Sequence, residues 1–289
     1  MASVNEIRQH IAAVKQTRKI TGAMELVSST RMRRVMSHIE YNRQYFSYIR
    51  STMQRILASS EDVSHPYLAG RPERRRTYVV ISGDKGMCGA HNANVLELAD
   101  RKLALHPGSS LITMGNTAEM HFRRKGTIPD ITMFGIVQDP TLHSAIRVSS
   151  EIMHLFDKEL TDEIHVIFTS FYGASKGKTT EFRLLPVKFH DYDDVADPRY
   201  HDEMLYHPSR KIVFDQLVPQ YIIGLIFGMM VQAYASEHFA RMNAMLASTQ
   251  NAGEMLKTLT TQYNMARQSA ITNELSEMTG AAEVLRGEQ

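Results

Sequence analysis

Tryptophan is absent from this 289-residue sequence, and cysteine occurs once, at Cys88. A single thiol excludes an internal disulfide and any zinc site built on several thiolates, and it suits a reducing compartment. No stretch is apolar for the ~20 residues that span a bilayer. The most apolar run, YIIGLIFGMMV at 221–231, is bracketed by Gln220 and Gln232 and reads as a buried helical turn. The opening MASVNEIRQH lacks the apolar core of a signal peptide, so no export signal is expected. Proline is missing from both ends, since all nine lie between Pro66 and Pro219 inclusive. The ends are therefore free to run as unbroken helices, and the middle is not.

What is present fits a folded protein. Hydrophobic residues make up 43% and charged residues 22%, which argues against wholesale disorder. The 18 methionines suggest adaptable packing surfaces. Charge is unevenly placed: residues 1–60 hold ten Lys/Arg against three acids, and residues 212–289 hold four against seven. Such arms attract one another or face different partners.

Periodicity divides the chain into an N-terminal helix (1–60), a central α/β segment (75–207) and a C-terminal helix (210–289). In the first, Ile7, Ile11, Val14, Met32, Val35, Ile39, Phe46, Ile49, Met53 and Ile56 recur at three and four. A strict heptad would put Arg18, Thr21, Glu25 and Ser28 at the seam, so the apolar stripe is expected to slip to Ile20, Met24 and Val27. In the last, Ala235, Phe239, Met242, Leu246, Gly253, Leu256 and Tyr263 keep a similar rhythm, continued by Ile271, Leu275 and Met278. Long amphipathic helices need a partner for the stripe, and the simplest is each other, antiparallel, closing on a small polar seam at Ala247, Thr249 and Gly253.

The middle alternates strand and helix signals: strands at 76–82, 109–115, 165–171 and 179–187, helices at 92–105, 117–124 and 140–160. This predicts a Rossmann-like α/β domain. GASKGKTT at 173–180 resembles a phosphate-binding loop, but only three residues separate Gly173 from Gly177, and strand formers follow Lys178. It reads as a hairpin turn. SGDKGMCGAHNAN at 82–94 sits in a better strand–turn–helix context, yet Gly83, Gly86 and Gly89 do not keep the dinucleotide spacing. A tight turn with a structural Cys88 is expected, and Cys88 with His91 is a weak nucleophile–base pair. The His/Asp-rich 190–208 matches no metal-ligand spacing and reads as a solvated loop. RPERRR (71–76) and RRK (123–125) lack the aromatic interleaving of a nucleic-acid module. No catalytic, cofactor-binding or metal-binding residue is assigned.

Two terminal stretches, IRQHIAAVKQTRKITGAMELVSSTRMRR (7–34) and ASEHFARMNAMLASTQNAG (235–253) with YNMARQSAITNELSEMTGAAEVL (263–285), resemble the signatures of the gamma subunit of F-type ATP synthases. SGDKGMCGAHNAN and LYHPSRKIVFD (205–215) resemble that family's central motif and the segment leading into its last helix. The resemblance runs the full length in order. It implies a rotor shaft: a coiled coil inside a head of alternating alpha and beta subunits, with the α/β domain at the foot beside the epsilon subunit and the membrane ring of c subunits. It implies no nucleotide or other cofactor on the chain itself, and a peripheral place on the cytoplasmic face of the bacterial plasma membrane.

By motif matching, Arg267, Gln268 and Thr272 correspond to contacts with the beta-subunit catch loop. Met24 corresponds to the contact with the acidic beta lever, in a neighbourhood made basic by Arg31, Arg33 and Arg34. Tyr206 and His207 fall where the foot meets the ring or epsilon. The chain departs from the family pattern at Gly22, where Lys is common, at Gln232 and Ala233, where Glu-Ser is usual, and at His207, which replaces a Glu. A histidine there is expected to make the foot contact pH-sensitive. The alternative reading is a nucleotide-binding α/β enzyme with helical extensions; a coiled-coil nucleic-acid scaffold is a further rival.

Overall fold

The computed structural model describes residues 3–58, 65–72, 75–171, 173, 177–188 and 205–287, with side chains described through Thr279. Ten elements follow in order: α1 (Val4–Ala58), β1 (Arg76–Ile81), α2 (His91–Leu105), β2 (Ser110–Met114), α3 (Asn116–Arg124), β3 (Ile131–Met133), α4 (Leu142–Asp157), β4 (Glu163–Ser170), β5 (Lys178–Leu185) and α5 (Arg210–Gly287). By contacts they group into two units, Met1–Val27 with Met242–Gln289, and Ser28–Arg241. Both long helices contribute to both units.

The smaller unit is a two-helix antiparallel pair. Ser3 and Glu6 cap α1 reciprocally: the Glu6 amide donates to Ser3 Oγ at 3.2 Å, and the Ser3 amide to Glu6 Oε2 at 2.8 Å. The apolar seam is thin. Val14, Ala252 and Leu259 form its buried cluster, with Ile11 and Leu256 against it. The expected slip of the stripe does not occur. Ile20 and Val27 are about half exposed and Met24 is half-buried, whereas Thr21 and Ser28, two of the four strict heptad positions, are buried. Thr21 Oγ1 and Thr249 Oγ1 lie 2.7 Å apart, so hydroxyls small enough for close helix approach satisfy one another at the seam. On α5 the seam likewise runs through Met245 and Ala252, and Leu246 and Ala247 point outward.

The larger unit is a doubly wound sheet of order β3-β2-β1-β4-β5, parallel except for β5, which is antiparallel to β4. Strand faces divide by alternation. Tyr78, Val80, Leu111 and Ile167 pack under α2 and α3 with Val95, Ala99 and Phe122. Val79, Ile81, Ile112, Met114, Val166 and Phe168 form the opposite core with α4 and with Ile49, Met53, Ile56, Phe214, Tyr221, Ile226 and Met230 of the long helices. Within 75–207 only α4 covers that face of the sheet, and α1 and α5 complete it. Burial on both faces explains why β1 reads as an unbroken apolar run rather than an alternating one.

Within this unit α1 and α5 also run antiparallel. Phe46 lies on Gly224 and Asn42 on Gly228, where a Cβ would meet Asn42 Nδ2 at 2.5 Å. The absent side chains let the helix backbones come close. The residues of 221–231 are core: Tyr221, Ile222, Ile226, Met229, Met230 and Val231 are all buried. By length and composition a wider window of α5 is apolar enough to cross a membrane, but this part of it is packed on the sheet.

Pro219 lies inside α5, so the last helix is not free of proline. Ser209 Oγ caps the helix by accepting from the Ile212 amide at 3.3 Å, so the helix starts well before the proline and continues past the one hydrogen bond that Pro219 cannot make. The three-residue edge strand β3 carries too short a pattern to stand out in the sequence.

Candidate functional site

In doubly wound sheets the ligand crevice lies beyond the C-terminal ends of the strands where the order reverses. Here that point falls between β1 and β4, above the turn Ser82–Gly89. It is filled by α5. A Cβ on Gly83 would stand 2.8 Å from the Glu237 carboxyl carbon, so only glycine admits that carboxylate. Across the crevice a Cβ on Gly177 would stand 2.9 Å from Ser236 Oγ and 2.7 Å from the Ser170 carbonyl. Arg241, one helical turn on, donates to Glu237 Oε1 at 2.5 Å, to Lys85 O at 3.3 Å and to Gly86 O at 3.2 Å. Glu237 and Arg241 are each only 7% exposed.

The surroundings are electrostatically quiet. Burial pushes the Glu237 carboxyl up and Arg241 pulls it back down, which keeps it available as an acceptor. His91, behind the turn, is lowered to about 4, by burial first and by Arg241 second. His238 is also lowered to about 4, by burial and then by Arg241, Arg31 and His91. The buried Cys88 thiol is pushed up by burial and then by Glu237. A neutral thiol beside neutral imidazoles is structural, not nucleophilic. Asn92 fixes the turn, accepting from the Gly83 amide at 2.9 Å and donating to Lys85 O at 3.2 Å.

The phosphate-loop look-alike is a hairpin. Ser170 pairs with Lys178 in the antiparallel β4–β5 ladder, and Lys178, Thr179 and Thr180 are strand residues. Residues 174–176 lie outside the described residues, as do 189–204 of the His/Asp-rich stretch; among the described residues no three potential ligands gather to hold a metal. Several residues of the basic runs pair internally. Arg75 and Arg76 pair with Asp162 and Glu163, Arg123 with Glu119, and Lys125 with Asp100.

The residues assigned by motif fall in separate places. Met24 is half-buried in the smaller unit. Arg31, Arg33 and Arg34 are exposed in the larger one, where the charge of Arg31 acts on Glu237, His238 and Tyr234. Arg267, Gln268 and Thr272 are exposed on consecutive turns of α5, and the Thr272 hydroxyl donates back to Gln268 O at 3.0 Å. Tyr206 is half-buried and His207 exposed at the N-terminal approach to α5. Sequence reasoning did not single out Glu237 and Arg241. Their one signal was an oppositely charged i, i+4 pair in an otherwise apolar and small helix face.

A family model described as ATP synthase matches residues 3–285. The ATP synthase gamma chain of Heliobacterium modesticaldum is 32% identical over 99% of this chain and 100% of its own length. That of Symbiobacterium thermophilum is 35% identical over 97% and 98%. Among solved structures, a chain of the Euglena gracilis mitochondrial ATP synthase comprising OSCP, F1 and c-ring superposes with a TM-score of 0.70 at 18% identity, over 98% of this chain and 94% of that one. A chain from the central stalk and c-ring of the Tetrahymena thermophila enzyme gives 0.59 at 19% identity, over 79% and 98%. Family match, full-length relatives and a shared fold agree: the chain belongs to the ATP synthase gamma chain family, a non-catalytic subunit of the F-type enzyme.

Proposed function

We propose that this chain is the central rotor shaft of an F-type ATP synthase, turned by the membrane ring of c subunits inside a head of alternating alpha and beta subunits. The observation that carries the reading is the bare apolar surface of the last turns of α5. Met265, Ile271, Leu275 and Met278 are 46–70% exposed among the described residues. A helix end of that kind needs a sleeve, and the alpha–beta head supplies one.

Coupling then follows from differential contact. A shaft shifts the equilibrium among beta-subunit conformations only if its contact energy differs between them. Arg267 offers a planar, bidentate guanidinium to a carboxylate of the beta catch loop, with Gln268 and Thr272 beside it. Met24 faces the acidic beta lever, and Arg31, Arg33 and Arg34 supply positive charge along the same helix. Segment 75–207 is the core of the foot, where Tyr206 and His207 meet the ring or the epsilon subunit, at the cytoplasmic face of the bacterial membrane. A histidine at this position makes the foot contact pH-sensitive, and a pH profile of coupled ATP synthesis left unchanged by His207→Gln overturns that sensitivity. The alternative of a nucleotide-binding enzyme is disfavoured by Glu237, which occupies the crevice a nucleotide would need.

Co-purification with alpha and beta ATPase subunits tests the whole reading. The full chain is expected to restore their ATPase activity, and truncation after Tyr263 to abolish recovery. A full chain that recovers no activity with them overturns it.

A further inference from the structure

We propose that Glu237 and Arg241 form an internal plug that occupies the doubly wound crevice as a bound ligand would, and that this plug fixes α5 in the α/β body so that the two turn as one. The consequence for coupling rests on the rotor reading; the plug itself rests on geometry. Three features point to it. The carboxylate enters where Gly83 lacks a side chain, directly after β1, and Gly177 opens the opposite wall to Ser236. Arg241 ties the same turn through the Lys85 and Gly86 carbonyls, so one side chain bridges α5 and the β1–α2 loop. Arg241 is also the last residue of α5 that groups with the larger unit.

The shape of the contact suits a load-bearing joint better than chance packing does. Apolar contacts between helix and sheet are non-directional and permit sliding. The plug adds directional, charge-assisted hydrogen bonds in a buried site, where they hold position and register. Phe171 and Phe239 close the side of the joint, edge to face with centroids 6.0 Å apart. Glu237 and Arg241 are positioning residues: they touch no substrate and act through the seating of the helix.

Gly83→Ala is the sharpest perturbation. The atoms nearest its methyl group all belong to the flexible end of Glu237, so it expels the plug before it disturbs β1. Glu237→Gln keeps the shape and removes the charge. Each is made in the assembled complex and read by hydrogen exchange over residues 82–92 and by ions pumped per ATP hydrolysed in sealed vesicles. Exchange is expected to quicken about tenfold or more as the local opening free energy falls, and pumping per ATP to drop while hydrolysis stays within about twofold of the parent. The double variant Gly83→Ala with Glu237→Ala separates plug from strain. It relieves the clash without refilling the crevice, so its pumping ratio stays low. Unchanged exchange in both single variants overturns the plug. Faster exchange with an unchanged pumping ratio, or full recovery in the double variant, overturns its role in coupling. A parent chain that fails to support ATPase activity overturns the rotor reading instead.

Discussion

Asp162 accepts three hydrogen bonds from Arg75: from its backbone amide at 2.9 Å, from Nε at 3.0 Å and from a terminal guanidinium nitrogen at 3.2 Å. The carboxylate is 1% exposed, and it joins the strand entering the sheet as β1 to the turn leaving α4. Arg71 reinforces the joint from the other side, donating to Phe156 O at 2.8 Å and lying 4.1 Å over the Phe156 ring.

Asp162→Ala is therefore expected to cost about 2 kcal/mol, the scale of hydrogen bonds to a charged group, because the Arg75 side chain is half exposed and keeps water as a partner. The hydrogen bond from Arg75 leads the causes that hold the Asp162 carboxyl below its ordinary range. A depressed carboxyl pKa means that its contribution is complete above the unfolded value near 4 and is lost as pH falls through the folded value. Urea melts at pH 7 and pH 3 check both parts: the parent should lose stability in acid, and Asp162→Ala should lose less.

Gly115→Ala is expected to destabilise the larger unit by at least about 2 kcal/mol. Gly115 has φ of +99°, and a Cβ there would collide with the Ser82 carbonyl, which belongs to backbone and has nowhere to go. Thermal denaturation decides; a melting temperature equal to the parent's contradicts the geometry.

His91 and His238 predict an acid-side weakness. Both are buried and lowered to about 4, so the unfolded chain binds more protons than the native one between that value and the ordinary histidine value of about 6.5. Stability is complete above about pH 6.5 and falls toward pH 4. Glu237, raised by burial, works in the opposite direction and offsets part of the loss. A series of melts from pH 4.5 to 7.5 on the parent and on His91→Asn should show a flatter dependence in the variant.

Thr21 and Thr249 predict non-additivity. Thr249→Val leaves the Thr21 hydroxyl with only the Arg18 carbonyl, 3.2 Å away, and should cost about 1 kcal/mol. The double change to Val removes both hydroxyls and adds apolar seam, so it should return close to the parent. A double-mutant cycle by chemical denaturation measures the coupling.

Most of the architecture was legible because it rests on period and on proline. The strand run at β1, the hairpin after β4 and the two terminal helices all announce themselves locally. The register of the α1 seam was not legible, because polarity masked it. Reading apolar residues as seam put Ile20 and Val27 inward, but the buried residues are Thr21, whose hydroxyl pairs with that of Thr249, and the small Ser28. The same bias favoured Leu246 over Met245 on α5. The crevice was harder still. That Gly83 exists to admit Glu237 joins residues more than 150 positions apart, and no local pattern carries that information. Motif resemblance named Arg267 and Met24, but it had nothing to say about a plug that touches no partner.

The antiparallel pairing of the first helix with the last sets a schedule for synthesis. Thr21 meets Thr249 across 228 positions of chain. At about 5–20 residues per second, the ribosome delivers the second partner roughly ten to fifty seconds after the first. Through that interval the seam residues Val14 and Thr21 of α1 wait for their partners on α5, and so does the part of the sheet face that α5 covers. The last helix is thus the closing stitch of both antiparallel pairings, and each waits on it.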